Sequence, residues 1–178
     1  MFRCTLLAVG DELLDGRGSD TNSDYITEKL QPLGISVAMR IIVGDDVGRI
    51  SEALELAMGV SHAVVITGGL GPTEDDLTRE AVAKTLGLRL LRDAQLEENL
   101  RGFFSAMGRD MSPTNLKQAD LLKGAMPIRA RLGTAPGQWL EKDGCIVIMV
   151  PGVPREMRDM IAGDVVPLLA ERISPGER

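Results

Sequence analysis

The sequence predicts an α/β protein with a mostly parallel sheet and helices on both of its faces. Three observations carry this expectation. Short apolar runs recur as "CTLLAV" (4–9), "ISVAMRIIV" (35–43) and "HAVVIT" (62–67), and each has strand length. Segments of helical periodicity separate them. The order strand, helix, strand, helix, strand, helix makes neighbouring strands parallel through crossovers.

The elements follow in order. Gly10-Asp11 ends the first strand and opens the polar loop "GDELLDGRGSDTNS". Asp20, Thr21 or Asn22 caps the first helix. Ile26, Leu30 and Leu33 form its apolar face, and Pro32-Leu33-Gly34 stops it. After the second strand, Asp45-Asp46 precedes a helix with Val47, Ile50, Leu54, Ala57 and Met58 on its inner face. After the third strand comes "TGGLGPTEDDLTRE" (67–80). Thr73 and Asp76 have capping-box spacing, so the next helix is expected from about Asp75 to Leu86, ending at Gly87. Leu96, Leu100, Phe103 and Met107 mark another helical face. Ser112-Pro113 reads as a cap and first helical residue leading into "TNLKQADLL". Then "MPIRARLGTAPGQWLEKDGCIVIMV" reads as short strands, with turns at 133–137 and 142–144. "CIVIMV" is a further buried strand. The last helix starts near Pro154 and presents Met157, Ile161, Val165 and Leu168. Gly163 and Pro167 bend or split it. "SPGER" is expected to be a loose end.

The 178 residues suffice for one domain spanning 1–178. With 44% hydrophobic and only 3% aromatic residues, its core must be aliphatic. The net charge of −6 argues against a broad nucleic-acid surface and against anionic membranes. Cys4 and Cys145 both fall in strands, so buried thiols are expected rather than a disulfide, and two cysteines alone make no zinc site. The N-terminal apolar run is too short for a signal peptide, and no apolar stretch is long enough to span a bilayer. The expected location is the cytoplasm.

In a parallel sheet, ligands sit beyond the carboxyl ends of the strands. The loops after Val9, Val43 and Thr67 therefore share one edge. Gly68, Gly69 and Gly71 let backbone approach an anion, and the next helix offers its N-terminus. Glu74, Asp75, Asp76 and Glu80 in the same stretch contradict a simple phosphate cradle. One acid can complement a helix dipole; four need another reason. A divalent cation between acids and phosphates reconciles them, because Mg²⁺ is held by one or two carboxylates plus phosphates and water. The loop after the first strand is either a capped surface loop or a contact for ribose, base or phosphate through Asp11, Glu12, Asn22 and Ser23. Lys117 is either a solvated lysine or a phosphate counter-charge. "GTAPG" and "PGVPREM" are rigid loops that suggest a rim. Glu156 is either a dipole-compatible acid or a site residue. His62, Met157, Met160, Trp139 and Tyr25 read as structural.

Together, "VGDELLDGRGSDTNS", "VGDD", "TGGLGPTEDDLTRE", "NLKQA", "GTAPG" and "PGVPREM" resemble the N-terminal domain of the CinA competence/damage-inducible family. That domain is similar to the molybdopterin-binding MoaB/MogA fold. The resemblance runs from about residue 3 to 170. It implies a three-layer α/β/α fold and metal-dependent hydrolysis of ADP-ribose to AMP and ribose 5-phosphate. It points to Asp76 and Asp45 as catalytic and metal-holding acids, with Asp75 as a further metal ligand and Lys117 offsetting developing charge. Phosphate or nucleotide contacts would come from Gly10, Glu12 and Asn22, and from Gly68, Gly69, Gly71, Pro72, Thr73 and Thr78 of the motif loop. Gly133, Thr134, Pro136 and Gly137, with Pro151 and Gly152, would complete them. Mg²⁺, Mn²⁺ or Co²⁺ is the implied cofactor, with K⁺ as a further candidate. A nucleotide or pterin is the implied ligand, and a homo-oligomer the implied assembly. Full-length relatives carry a C-terminal nicotinamide mononucleotide deamidase domain, which this sequence does not include. Lys123 and Arg131 stand where the family has a proline and an asparagine, and their charge would favour an extra phosphate. Two alternatives to the hydrolase stay open: a non-catalytic pterin- or nucleotide-binding protein, and a molybdopterin adenylyltransferase-like enzyme. Under the hydrolase expectation, Asp76→Asn abolishes turnover and leaves or improves ligand affinity.

Overall fold

The structure, a computed structural model, describes residues 1–173. The segment "SPGER" lies outside the described residues. A six-stranded sheet forms the middle layer. It contains β1 (Arg3–Val9), β2 (Ser36–Val43), β3 (Ala63–Thr67), β6 (Met126–Ile128), β7 (Gly137–Lys142) and β8 (Cys145–Val150), in the order β2-β1-β3-β8-β7-β6. β2, β1, β3 and β8 run parallel, and β7 is antiparallel to both its neighbours.

Both faces of the central strands are covered, which explains their unbroken apolar runs. Leu7, Val64, Ile66 and Val147 point to one face. They meet α3 (Val47–Val60) through Ile50, Leu54 and Ala57, and α4 (Thr78–Leu86) through Ala81, Val82 and Leu86. Leu6, Val65 and Ile148 point to the other face. There they meet Ile26 and Leu30 of α2 (Thr21–Leu30), and the C-terminal helices. Cys4 and Cys145 are free buried thiols; burial pushes Cys4 up to about 12 and Cys145 up to about 11. No helix among the described residues is long and apolar enough to cross a membrane.

Three caps anchor the crossovers. Asp20 caps α2, accepting from the Ser23 amide at 3.0 Å. Asp46 does the same for α3 through Arg49, at 2.9 Å. Asp93 caps α5 (Ala94–Ala106) through Leu96, at 2.8 Å.

Four local expectations need correction. The loop after β1 contains a single helical turn, α1 (Asp11–Leu14). The helix after the glycine motif begins at Thr78, not near Asp75, because Asp76 turns back on the loop. "TNLKQADLL" is not one α-helix. A 3-10 segment over Pro113–Ala119 leads into β5 (Asp120–Leu122), which pairs antiparallel with β4 (Leu90–Arg92) outside the main sheet. Finally, the last helix is split as expected, a π-helical turn (Ile161–Val165) joining α6 (Pro154–Met160) to α7 (Val166–Arg172), but its inner face differs. Pro167 has no amide proton for the preceding turn, and a π turn tolerates that loss. The wider turn rotates the inner face by one residue, so Leu169 rather than Leu168 is fully buried.

Candidate functional site

The loops after β1, β2, β3 and β8 meet at the carboxyl edge of the parallel strands. A cavity of about 480 Å³ lies there. Gly10 and Glu12 line it from the β1 loop, and Asp45 from the β2 loop. The glycine motif contributes Gly68, Gly69, Gly71, Pro72, Thr73, Asp75 and Asp76, and Thr134, Pro151 and Gly152 close the rim. The four loops at this edge thus converge where strand order requires, joined by Thr134 from the connection between β6 and β7.

The motif loop is shaped from within. Gly68 and Gly69 have φ of 95° and 66°, a region that side chains rarely adopt. A Cβ on Gly69 would strike the Thr78 hydroxyl. Thr78 is buried, and its Oγ1 donates to Gly68 O at 2.8 Å. It therefore builds the loop rather than meeting ligand. Asp76 Oδ1 accepts from the Gly71 amide at 2.9 Å. Its Oδ2 accepts from the Thr73 amide at 2.8 Å and the Thr73 hydroxyl at 2.6 Å. The expected capping box is thus a loop brace. Asp76→Asn would replace an acceptor by a donor facing these bonds, so it would deform the loop instead of testing charge alone.

Lys117 also differs from expectation. Its Nζ donates to Asp76 O at 2.7 Å and Thr73 O at 3.0 Å, and lies 3.3 Å from Glu80. An ammonium has three protons, and these partners occupy them. Lys117 does not line the cavity; it staples the loop from outside.

Asp45 is half-buried in the cavity wall and keeps one carboxylate oxygen for a ligand. The Asp11 amide donates to Asp45 Oδ2 at 3.0 Å, and the Asp45 amide donates to Asp11 Oδ1 at 3.1 Å. This reciprocal pair clasps the β1 and β2 loops. Asp45 Oδ1 has no hydrogen-bond partner among the described residues. Burial holds the Asp45 carboxyl above the usual aspartate range; the Asp11 amide opposes this, while the charges of Asp11, Glu12 and Asp76 add to it. Glu156 also lines the cavity, and burial raises its carboxyl too. A Cβ on Gly133 would land on the Glu156 carboxyl, so that glycine makes room for the acid.

Other predicted contacts lie elsewhere. Asn22 lines an adjoining space of about 200 Å³ and donates to Gly152 O at 2.8 Å. Gly133 and Pro136 line a neighbouring groove. Gly137 is buried at the start of β7, where a Cβ would meet Met149 O. Arg131 is committed to Asp164, at 2.6 and 2.9 Å, and to Asp159 at 3.2 Å. It is therefore not a spare cation for a phosphate. Lys123 is exposed and absent from the cavity lining.

Two further residues emerge from the tertiary structure. Gln118 lines the cavity and donates to Thr134 Oγ1 at 3.0 Å. Arg79 is 1% exposed and donates to Leu70 O and Gly71 O, both at 2.8 Å. It fixes the motif loop from below. Its signal was in the sequence: Arg79, Val82, Ala83 and Leu86 have i, i+3, i+4, i+7 spacing, which places Arg79 on the inward face of α4.

Among the described residues, no three His, Cys, Asp or Glu side chains stand close enough to hold a metal alone. Asp45 and Asp76 still fit a hard cation that brings its own water and phosphate oxygens. An ionised carboxylate offers about four acceptor sites, and neither acid has filled all of its sites.

The profile of a family described as "Probable molybdopterin binding domain" matches residues 5–171. A protein described as competence-damage inducible from Oceanobacillus iheyensis is 38% identical over 177 residues, covering 99% of this chain and 42% of that protein. A CinA-like protein from Thermomicrobium roseum is 43% identical over 171 residues, covering 96% of this chain and 42% of that protein. The chain thus spans about two fifths of the length of these relatives. The crystal structure of CinA from Thermoplasma acidophilum superposes with a TM-score of 0.84 at 36% identity, covering 90% of this chain and 94% of that one. MoaB from Thermus thermophilus superposes with a TM-score of 0.62 at 22% identity, over 97% and 96% of the two chains, which shows a shared fold. Extent, identity and fold agree: the chain belongs to the molybdopterin-binding-domain family and, within it, to the CinA proteins.

Proposed function

We propose that this domain hydrolyses the diphosphate of ADP-ribose or a related nucleotide diphosphate, with a divalent metal, to AMP and ribose 5-phosphate. One observation carries the proposal. Asp45 and Asp76, from different crossovers, face one cavity whose floor is glycine backbone. Acids alone would repel a diphosphate; the Asp45 carboxyl is raised chiefly by burial, with the charges of Asp11, Glu12 and Asp76 adding to it. A bound divalent cation would polarise the phosphorus and lower the pKa of a water.

The chain's own residues would share the work. Asp45 supplies an open carboxylate oxygen. Asp76, Lys117 and Arg79 hold the loop so that its backbone stays preorganised, which is where electrostatic catalysis gains most. Glu12, Asp75 and Glu156 are further acids on the cavity wall. The engagement of Asp76 and Lys117 in bracing favours a second reading, in which the pocket binds a nucleotide or pterin without turnover or serves adenylyl transfer to molybdopterin.

AMP release from ADP-ribose separates these readings, measured with Mg²⁺, Mn²⁺ or Co²⁺ and with EDTA as control. Metal-dependent release is expected. Asp45→Asn keeps an oxygen for the Asp11 amide and removes the charge, so it should lower the rate at least ~100-fold while leaving the fold intact. Full activity in that variant would remove Asp45 from the site, and no release with any metal would leave the binding reading.

A further inference from the structure

Beyond Gln118 and Thr134 lies a second space, a groove of about 830 Å³ between α5 and the 127–136 segment. Gln118 and Thr134 line both spaces. Their mutual hydrogen bond makes them a shared partition, and Asn115 Nδ2 steadies it by donating to Gln118 Oε1 at 3.2 Å. The two sides differ in chemistry. The cavity is glycine and carboxylate. The groove offers apolar surface, from Leu96, Leu100 and Phe103 on α5 and from Pro127 and Pro136 opposite, beside the polar side chains of Asp93, Gln95, Glu98 and Asn99. Phe103 keeps 38% of its surface open. Arg129 lines the groove and has no ion-pair partner among the described residues.

A half-open Phe103 ring, flanking prolines and an unpaired Arg129 guanidinium, with acids rather than further cations beside them, suit a planar ring with polar edges better than a phosphate. A ring can lie against Phe103, and Arg129 can stack on its face or meet its polar edge. The volume is that of an ordinary small-molecule pocket. We propose that this groove is a second subsite for the aromatic heterocycle of the ligand whose diphosphate lies in the cavity, with Gln118 and Thr134 at the junction. This assignment rests on the nucleotide-diphosphate reading above. It adds that recognition of the base is separate from the acids that would handle the phosphates.

Gly102 provides the test. It lies on α5, lines the groove, and has nothing within 4 Å of its Cβ position. A large side chain there would fill the groove while relieving a helix of a glycine, so the fold should survive. Phe103→Ala removes the platform by the opposite means. Gly59→Trp on α3 is the control, since its Cβ position is also open and it lines neither space. Binding of ADP-ribose, AMP and inorganic pyrophosphate, each with Mg²⁺, would be measured by calorimetry, with melting curves for each variant.

The wild type should bind ADP-ribose about tenfold or more tightly than pyrophosphate, from stacking of the base. Gly102→Trp and Phe103→Ala should each lose that preference and keep pyrophosphate affinity, while Gly59→Trp changes neither. The groove assignment is overturned if the wild type shows no preference for probes carrying the base, or if both groove variants bind ADP-ribose like the wild type. Groove-dependent ADP-ribose binding without AMP release would sink the hydrolase reading alone. AMP release with unchanged affinity in both groove variants would sink the groove alone.

Discussion

The motif loop and α5 lie on opposite sides of the Gln118–Thr134 partition and are held in opposite ways. The loop is tied at nearly every turn. Asp76 accepts three hydrogen bonds within it, Lys117 staples two of its carbonyls, and the buried Arg79 holds two more. By contrast, α5 buries only Leu100 and leaves Phe103 and Met107 open. Its charged contacts are surface pairs such as Arg101–Glu97 and Arg92–Glu97. Under the proposed function the loop meets a diphosphate and a cation and must be preorganised, because misplaced backbone loses electrostatic benefit. A flank that receives a flat ring can rely on apolar contact, which is non-directional. The contrast shows that polar bracing is concentrated on one side of the partition and open apolar surface on the other.

Removing Arg79 should break the comparison most strongly. Arg79→Ala leaves the buried Leu70 carbonyl and the half-buried Gly71 carbonyl without their donor and opens a cavity, so a loss of about 2–4 kcal/mol is expected in urea unfolding. Arg79→Lys should rescue little, since an ammonium cannot reproduce the fork that spans Leu70 O and Gly71 O. A loss near zero would mean that the loop holds itself.

Asp45 should show an effect of opposite sign. Its native carboxyl is raised, mainly by burial, so the folded state holds its proton more tightly than the unfolded chain. Its contribution to stability is present below the usual aspartate range and is lost as pH rises through the raised value. Asp45→Asn should therefore raise the melting temperature at pH 7 by about 2 °C, with the gap closing as pH falls through the carboxylate range. Added Mg²⁺ should raise the wild-type melting temperature more than that of the variant. A gap independent of pH would show that the Asp45 carboxyl is not raised in the folded protein.

The smallest effect belongs to α5. Arg101 makes an exposed i, i+4 pair with Glu97 at 2.7 Å. Arg101→Ala should cost about 0.5 kcal/mol or less in the same unfolding experiment. A loss comparable to that of Arg79→Ala would erase the contrast between the two regions.

Much of the site was legible before the tertiary structure. Strand order placed the loops carrying Asp45 and Asp76 at one edge, and both line the cavity. Gly68, Gly69 and Gly71 were legible as close-approach backbone. The roles of Lys117 and Thr78 were not, because both residue types serve as ligand or as brace, and only their partners decide. Asp76 lies between these cases: its place was legible, but its three internal hydrogen bonds were not. The β4–β5 pair escaped notice because each strand is only three residues long, too short for any period to register.

By itself, then, the sequence determined the order of elements, the burial of the central strands, the short stretch from Asp20 to Asn22 that holds the first cap, and the edge at which acids and glycines meet. These follow from local chemistry and periodicity, which act over a few residues. Only the tertiary structure decided that Asp76 is spent on bracing while Asp45 keeps an open oxygen, which cations are already engaged, and that Gln118 and Thr134 divide two spaces. Those facts depend on atoms far apart in the chain, such as Lys117 against Thr73 and Arg131 against Asp164. No local pattern encodes such pairs, because each forms only once the sheet has brought its loops together.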